Sequence, residues 1–514
     1  MSRPGIVRFM RATARPKLAA LAVLAALLSG CTPLKEWVHN GLRVGPNFHE
    51  PPAQVAARWI DGADPRLIQG SADDGDWWAV FQDPVLDSLI QTAHMQDLDL
   101  KSVGTRVLQA QAQRNIEAGN LFPQSQNAIG DYAHAQISRN LNIFNTPRAS
   151  LPSSLNIWAT GFNASWELDI WGRIRRSIES ANADRDASVE AYHAALVTLA
   201  GDVAASYIQI RTLQERIAYA RRNVEIERGT LSLAEARYRD GKATALDVKQ
   251  ARSSLAQTEA SLPPLEISLR QANNRLCILL GMPPQDLTPE LGDGGIPTTP
   301  PEAAVGIPAQ LLERRPDVRQ ALRTAAAQCA RIGVAEADFY PQIGVTGFIG
   351  YVASDIHKLF AEKSLTGVIL PNFSWKILNY GRVLNNVRTQ DARFRELIFQ
   401  YQQTVLQAGR EVEDALVAFL QYQLQARSLE SAVKESLDSV LLVQAQYRVG
   451  IVDFNRVFTA QTQLVTLQDQ LASARGNIAA SLVAVYRALG GGWQALETEE
   501  HPAAMHHVAA CKGR

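Results

Sequence analysis

Tyr447–Gly450 reads YRVG, in a stretch with no proline between Pro371 and Pro502, and Tyr238–Gly241 reads YRDG, in another with none between Pro152 and Pro263. The motifs are 209 positions apart. The same offset lays Val248, Ala251, Leu255 and Leu262 on Val457, Ala460, Leu464 and Leu471, and Trp166, Gly172 and Arg173 on Trp375, Gly381 and Arg382. A slightly larger offset matches FPQ at Phe122 to YPQ at Tyr340. Self-similarity at a fixed period means that one structural plan is used twice, so the chain is an internal duplication.

Around each YRxG motif the apolar residues step alternately by three and four. Leu196, Leu199, Val203, Ser206, Ile210, Leu213, Ile217, Ala220 and Val224 do so before the first, as do Val405, Ala408, Val412, Ala415, Phe419, Tyr422, Ala426, Leu429 and Val433 before the second. The pattern resumes at Val248 and Val457. Heptads sustained this long predict helices packed as coiled coils. A helix of about 65 residues reaches roughly 100 Å at about 1.5 Å per residue, and somewhere it must turn back. Gly241 and Gly450 provide a residue that adopts the left-handed conformation at a helix end, so each motif is expected to be the tip of a long antiparallel hairpin. A continuous helix merely interrupted by each glycine is the alternative; the polar stretches Lys242–Thr244 and Asp453–Arg456 favour a turn.

Upstream of each hairpin the period becomes two. Phe162, Ala164, Trp166, Leu168 and Ile170 alternate with polar residues, as do Phe373, Trp375 and Ile377 in NFSWKI. Segments at 125–138 and 342–353 are expected strand partners, joined through loops at 139–153 and 354–364. Strands of about ten residues cross a bilayer when tilted. Four strands cannot close a lipid-exposed sheet, so a membrane role requires several chains to share one barrel; three would give twelve strands. Two ribbons packed on a soluble core are the alternative.

Lysines and arginines number 51, as do aspartates and glutamates, so the formal charge is zero and nothing favours a nucleic-acid partner. Arg3, Arg8, Arg11, Arg15 and Lys17 precede the run LAALAVLAALL, too short for a stable membrane anchor, which marks residues 1–30 as a removable signal segment. LSGC at Leu28–Cys31 then resembles a bacterial lipobox, implying acylation of Cys31, and Thr32 in place of aspartate implies sorting to the outer membrane. An ordinary cleaved signal with an incidental Cys31 is the alternative. Cys277 and Cys329 lie in apolar-periodic sequence, which favours buried free thiols.

The domain plan is a signal segment at 1–30, a linker at 31–75, a first repeat at 76–282 with strands at about 125–170 and its tip at 238–248, and a linker at 283–310. A second repeat follows at 311–490, with strands at about 342–377 and its tip at 447–457, then a tail at 491–514.

The segments VGPNFHEPP (Val44–Pro52), DWWAVFQDPVLDSLI (Asp76–Ile90), WELDIWGRIRR (Trp166–Arg176), IPAQLLERRPDVRQA (Ile307–Ala321) and FYPQIGV (Phe339–Val345) run through most of the mature chain. Together they resemble the TolC-like outer-membrane factors of the NodT/OprM-type lipoprotein branch. The resemblance implies a mainly α fold with a small β part. Its internally duplicated α-helical hairpins form an α-barrel, and four β-strands per chain form a twelve-stranded transmembrane barrel in a homotrimer. It implies the outer-membrane exit duct of a tripartite efflux pump, passively conducting drugs, toxic compounds or metals from a periplasmic adaptor and an inner-membrane RND-type transporter. A type I protein secretion duct and a pore-less lipid-anchored scaffold are the alternatives; the lipobox and LLERRPDV favour efflux by resemblance.

Arg239, Gly241, Arg448 and Gly450 match the family's helix-turn motif that meets the adaptor. Plain helix caps with solvated arginines are the simpler alternative. Asp247 matches a family position on the inner side of the first tip, where it could bond Tyr447 or an arginine across a gate. The second copy departs from the pattern, with Arg456 before Val457 and Asp453 as the nearby acid, so the gate contacts are expected from Arg456 with Asp453 or Asp247. No P-loop, GxSxG, HExxH or GxGxxG motif occurs, and no enzyme activity, cofactor or metal is expected. Met505, His506, His507 and Cys511 could hold a soft metal, but a frayed tail is the simpler alternative.

Overall fold

The computed structural model describes residues 34–69, 75–136, 154–292 and 294–499. The signal segment with Cys31, the first expected loop and the tail with His506, His507 and Cys511 lie outside the described residues. In chain order the helices are α1 (Leu34–His39), α2 (Pro84–Gln96), α3 (Leu98–Gly119), α4 (Arg173–Arg239), α5 (Ala245–Leu279) and α6 (Thr288–Leu291). Then come α7 (Leu311–Arg314), α8 (Pro316–Ala337), α9 (Arg382–Val449), α10 (Phe454–Leu489) and α11 (Trp493–Glu499). The strands are β1 (Leu67–Gln69), β2 (Ser125–Gln136), β3 (Ser154–Leu168), β4 (Ala303–Val305), β5 (Gln342–Ala353) and β6 (Leu365–Ser374). They fall in two units. One holds the chain up to Glu50, Gln109–Arg185 and Arg323–Ile398; the other holds Pro51–Leu108, Asp186–Leu322 and Phe399 onward.

The first unit contains an antiparallel sheet in the order β2-β3-β5-β6. Each half of the chain contributes one hairpin, and the two join through β3 and β5, from Trp158 opposite Ala353 to Leu168 opposite Ile343. β6 begins earlier and ends sooner than the alternation in NFSWKI suggests. Trp375 leaves the ladder to donate its indole N–H to the Phe339 carbonyl at 2.9 Å, and Ile377 turns back onto the Trp375 carbonyl. The loop expected at 354–364 contains two short 3-10 turns, Ile356–Lys358 and Glu362–Ser364.

WELDIWGRIRR works as a corner. Asp169 accepts the Ile174 and Arg175 N–H groups at the start of α4, satisfying donors that have no partner within the helix. Glu167 takes two bonds from Arg173, and Trp171 stacks on Tyr340 with centroids 4.6 Å apart. Arg176, fully buried, donates to the carbonyls of Val44 and Gly45 and to Asn47. A buried guanidinium is tolerable only when its donors are satisfied; here they hold the N-terminal segment against the start of α4.

In the second unit α4 and α5 form one hairpin and α9 and α10 the other. Ion pairs Glu235–Arg252, Arg228–Glu259 and Arg221–Glu266 run in opposite senses along α4 and α5, the signature of antiparallel arms. The outgoing helices have 67 and 68 residues, about 100 Å each by helix rise. The returning ones have only 35 and 36, so the hairpins are lopsided. Every residue of the first heptad series, Leu196 to Val224, is buried, whereas in the second series Tyr422, Leu429 and Val433 are only half-buried. Pro263 and Pro264 lie inside α5 and do not end it. The carbonyls four residues back lose their usual N–H partners there, and the helix continues for four more turns. Trp77, stacked on Tyr486 at 5.7 Å, belongs to a large apolar cluster that includes Leu196, Tyr207, Leu276, Phe419 and Leu482.

Candidate functional site

The two tips are built to one design. At the end of α4, Gly241 (φ 70°) donates to the Tyr238 carbonyl and Lys242 to that of Arg237; at the end of α9, Gly450 (φ 85°) donates to Tyr447 and Ile451 to Gln446. This paired bonding satisfies the last carbonyls of a helix and needs a residue comfortable at positive φ. Three residues after each tip glycine comes the cap of the next helix: Thr244 for α5, Asp453 for α10.

Here the copies diverge. Thr244 and Asp247 form a reciprocal box: the Thr244 hydroxyl accepts the Asp247 N–H and the Asp247 carboxylate accepts the Thr244 N–H, each at 3.3 Å. In the second copy the carboxylate has moved to the cap position itself, where Asp453 accepts the Arg456 N–H at 3.3 Å. Asp247 and Asp453 therefore each stabilise a helix start within the chain. With the acid at Asp453, the start of α10 needs none at position 456 for capping. The Arg456 side chain is exposed, and among the described residues it joins neither carboxylate in an ion pair within the chain.

The tips meet in a small apolar cluster of Ala234, Val248, Ala251, Tyr447, Phe454 and Val457, separate from the large core. Tyr447 is 2% exposed, whereas its counterpart Tyr238 is 51% exposed. The Tyr447 ring meets Phe454 edge-on at 5.6 Å and carries the Arg237 guanidinium on its face at 4.6 Å. Arg237 also donates to the Lys242 carbonyl at 3.1 Å, so one side chain ties the first turn to the second hairpin. The Tyr447 hydroxyl is buried with no hydrogen-bond partner. Burial, then the nearby Asp247 charge, pushes its pKa up, and Arg237 opposes.

Arg239, Gly241, Arg448 and Gly450 are exposed at the turns, with Tyr238, Leu246, Val449 and Ile451 also exposed around them. Of the expected gate residues, Tyr447 is buried, Asp247 half-buried, and Asp453 and Arg456 exposed. Arg237 was not singled out from sequence. The signal existed: the 209-residue offset places Arg237 on Gln446, so the arginine breaks the repeat beside a motif that keeps it. Cys277 and Cys329 are free and buried, and burial pushes the Cys329 thiol up to about 11. Among the described residues no helix is long and apolar enough to cross a membrane, and no group of three or more potential ligands could hold a metal.

The chain matches the outer membrane efflux protein family over residues 89–282 and 307–491. It belongs to that family. Each matched segment contains one pair of the large-sheet strands and one helical hairpin, in agreement with the duplication. The pyoverdine export outer membrane protein OpmQ of Pseudomonas putida is 32% identical over 425 residues, which are 82% of this chain and 89% of that one. Nodulation protein T of Rhizobium leguminosarum bv. viciae is 30% identical over 483 residues, 93% of this chain and 94% of its own. The structure of the outer-membrane channel OprN superposes with a TM-score of 0.82 at 29% identity, covering 88% of this chain and 99% of that one. The family member described here is an outer-membrane protein of efflux.

Proposed function

We propose that three copies of this chain form the outer-membrane exit duct of a tripartite efflux assembly. In this assembly the twelve strands close one barrel and the helical hairpins line the passage beneath it. The observation that carries this is the open sheet. Among the described residues β2 pairs only with β3 and β6 only with β5, and every residue of β6 is exposed, including Val368, Ile369, Leu370 and Phe373. Strands with unpaired edges are untenable in lipid unless another copy completes them, and an exposed apolar edge strand in water invites pairing with another chain. A second surface supports the reading: Phe399, Leu406, Val417 and Leu424 are exposed on α9 at spacings that keep them on one helix face, as a seam between copies requires.

Cys31 is the proposed lipid attachment, and Arg176, by holding Val44 and Gly45, ties the segment that follows it to the corner beside the sheet. The exposed turns with Arg239, Gly241, Arg448 and Gly450 are the proposed docking points for a periplasmic adaptor, which links the duct to an inner-membrane RND-type transporter. Asp247, Tyr447, Asp453 and Arg456 are the proposed gate set: Asp247, Asp453 and Arg456 make contacts between copies, and Tyr447, buried within the chain, holds the two hairpins of one copy together. Transport is passive and carries small toxic solutes. Mass photometry of protein extracted from outer membranes, with conductance in planar bilayers, tests this. A three-chain particle that conducts ions is the expected result; a monomer without conductance overturns it.

A further inference from the structure

Between the large core and the tip cluster, the packing of α4 changes character. Between the buried Val224 and Ala234, its buried positions are Glu227 and Thr230 alone, with Asn223 one turn above. Each meets another helix. The Asn223 amide donates to Gln468 of α10 at 2.8 Å; Thr230 accepts from Gln461 of α10 at 2.8 Å and from Gln444 of α9 at 3.2 Å. Glu227, 3% exposed, accepts from Thr258 of α5 at 3.1 Å through Oε1. Its other oxygen, Oε2, is buried and makes no well-formed hydrogen bond, although the Ser254 hydroxyl of α5 lies near enough to favour the charged form.

We infer that Glu227 is a proton-responsive element of this seam: with the acid protonated the four helices stay packed above the tip, and ionisation draws water in and loosens them. The inference rests on the duct reading for its consequence, a passage that opens more readily as pH rises. Among the described residues no cation compensates Glu227: α5 presents Ser254, Thr258 and Glu259 to it, and the contacts on either side of it, at Asn223 and Thr230, are made by the uncharged Gln468 and Gln461 of α10 and Gln444 of α9. On α4 itself Arg228 is exposed and already shared between Glu225 and Glu259. An ionised carboxylate with a buried oxygen that lacks a well-formed hydrogen bond is costly, whereas the other seam contacts can be exchanged for bonds to water at small net change.

Burial raises the Glu227 pKa above its ordinary 4.5, opposed by the Thr258 and Ser254 hydroxyls and aided by Glu259. The packed seam thus binds the proton more tightly than the hydrated one. Its advantage is intact below the ordinary carboxyl pKa and is lost as pH rises through the raised value. Glu227 lies 12 residues above Arg239, roughly 18 Å by helix rise, close enough for separation of the arms to reach the tips.

The test is ion conductance of the purified protein in planar bilayers from about pH 4, below the ordinary carboxyl range, to about pH 8, for the unsubstituted chain, Glu227→Gln and Thr258→Val. For the unsubstituted protein the ratio of hydrated to packed seams should rise with pH by up to about tenfold per unit, and the resting conductance with it. Glu227→Gln should stay at the acid-side level throughout. Thr258→Val, which removes a donor to the ionised carboxylate, should extend the rise to higher pH. A Glu227→Gln protein that keeps the full pH response overturns the inference, as does an unsubstituted protein with none. If no preparation conducts at any pH, the duct reading fails, and hydrogen exchange of residues 223–230 in the same proteins decides. Amide protection that falls with pH only where Glu227 is present supports the proton device; equal behaviour overturns it.

Discussion

Arg237 and Tyr447 show how much a single contact can matter when the surrounding cluster is small. The tip core has six buried residues, and the guanidinium lies on its largest ring. A cation over an aromatic face contributes about 1 kcal/mol at a partly exposed site, so Arg237→Gln should shift the closed-to-open balance several-fold toward open. Resting conductance should rise, with Arg237→Lys intermediate because the ammonium lacks the planar stack. Tyr447→Ala should act more strongly, since truncating a buried aromatic costs about 3–5 kcal/mol. Sensitivity of cells to a bulky antibiotic reports the same order. The sequence made the tip glycines and Tyr447 legible, because YRxG is repeated. It concealed the roles of Arg237 and Glu227, because those depend on which helix faces them, and a heptad position does not name its partner.

At the scale of elements, the turn and cap chemistry makes graded predictions. Alanine at either tip glycine forces a side chain into the left-handed region, at about 1 kcal/mol. Gly241 has open space around its α-carbon, while at Gly450 a methyl would sit 3.3 Å from Arg237. Gly450→Ala should therefore loosen the tip more than Gly241→Ala, read as faster proteolytic nicking. Asp453→Ala should cost about 1 kcal/mol at the start of α10, seen as faster hydrogen exchange there. Heptads and alternation revealed the four long helices and the strands of the large sheet, but not α2, α3 or the parallel pair β1–β4. They did not reveal where β6 stops, because Trp375 leaves the ladder for a bond to Phe339 that has no local signature. Nor did they show that α5 passes through Pro263 and Pro264; packing along the hairpin outweighs the local preference. Replacing both prolines with alanine should raise the thermal midpoint, as each removes a helix penalty of about 3 kcal/mol.

For the whole molecule, the surfaces left uncovered carry the argument. Leu406→Glu with Leu424→Glu on the exposed face of α9 should deplete the three-chain species in mass photometry. Burial of each leucine between copies contributes about 1.5–3 kcal/mol, so together they should weaken association by well over tenfold. The proposal that several chains share the sheet follows from strand count, since four strands exposed to lipid leave two edges. The number three came from resemblance, because neither strand length nor periodicity fixes how many chains close a sheet.

The two tips share a backbone design but not their side chains: one turns its tyrosine outward, the other buries it under an arginine. In a ring of three chains, six tips would alternate between these two faces, giving sixfold backbone spacing with only threefold chemistry. A partner that docks on every tip must accept two different surfaces with one binding site, or else offer two kinds of site in strict alternation. In such a ring the duplication would set the spacing, and the divergence of its halves would make neighbouring positions inequivalent.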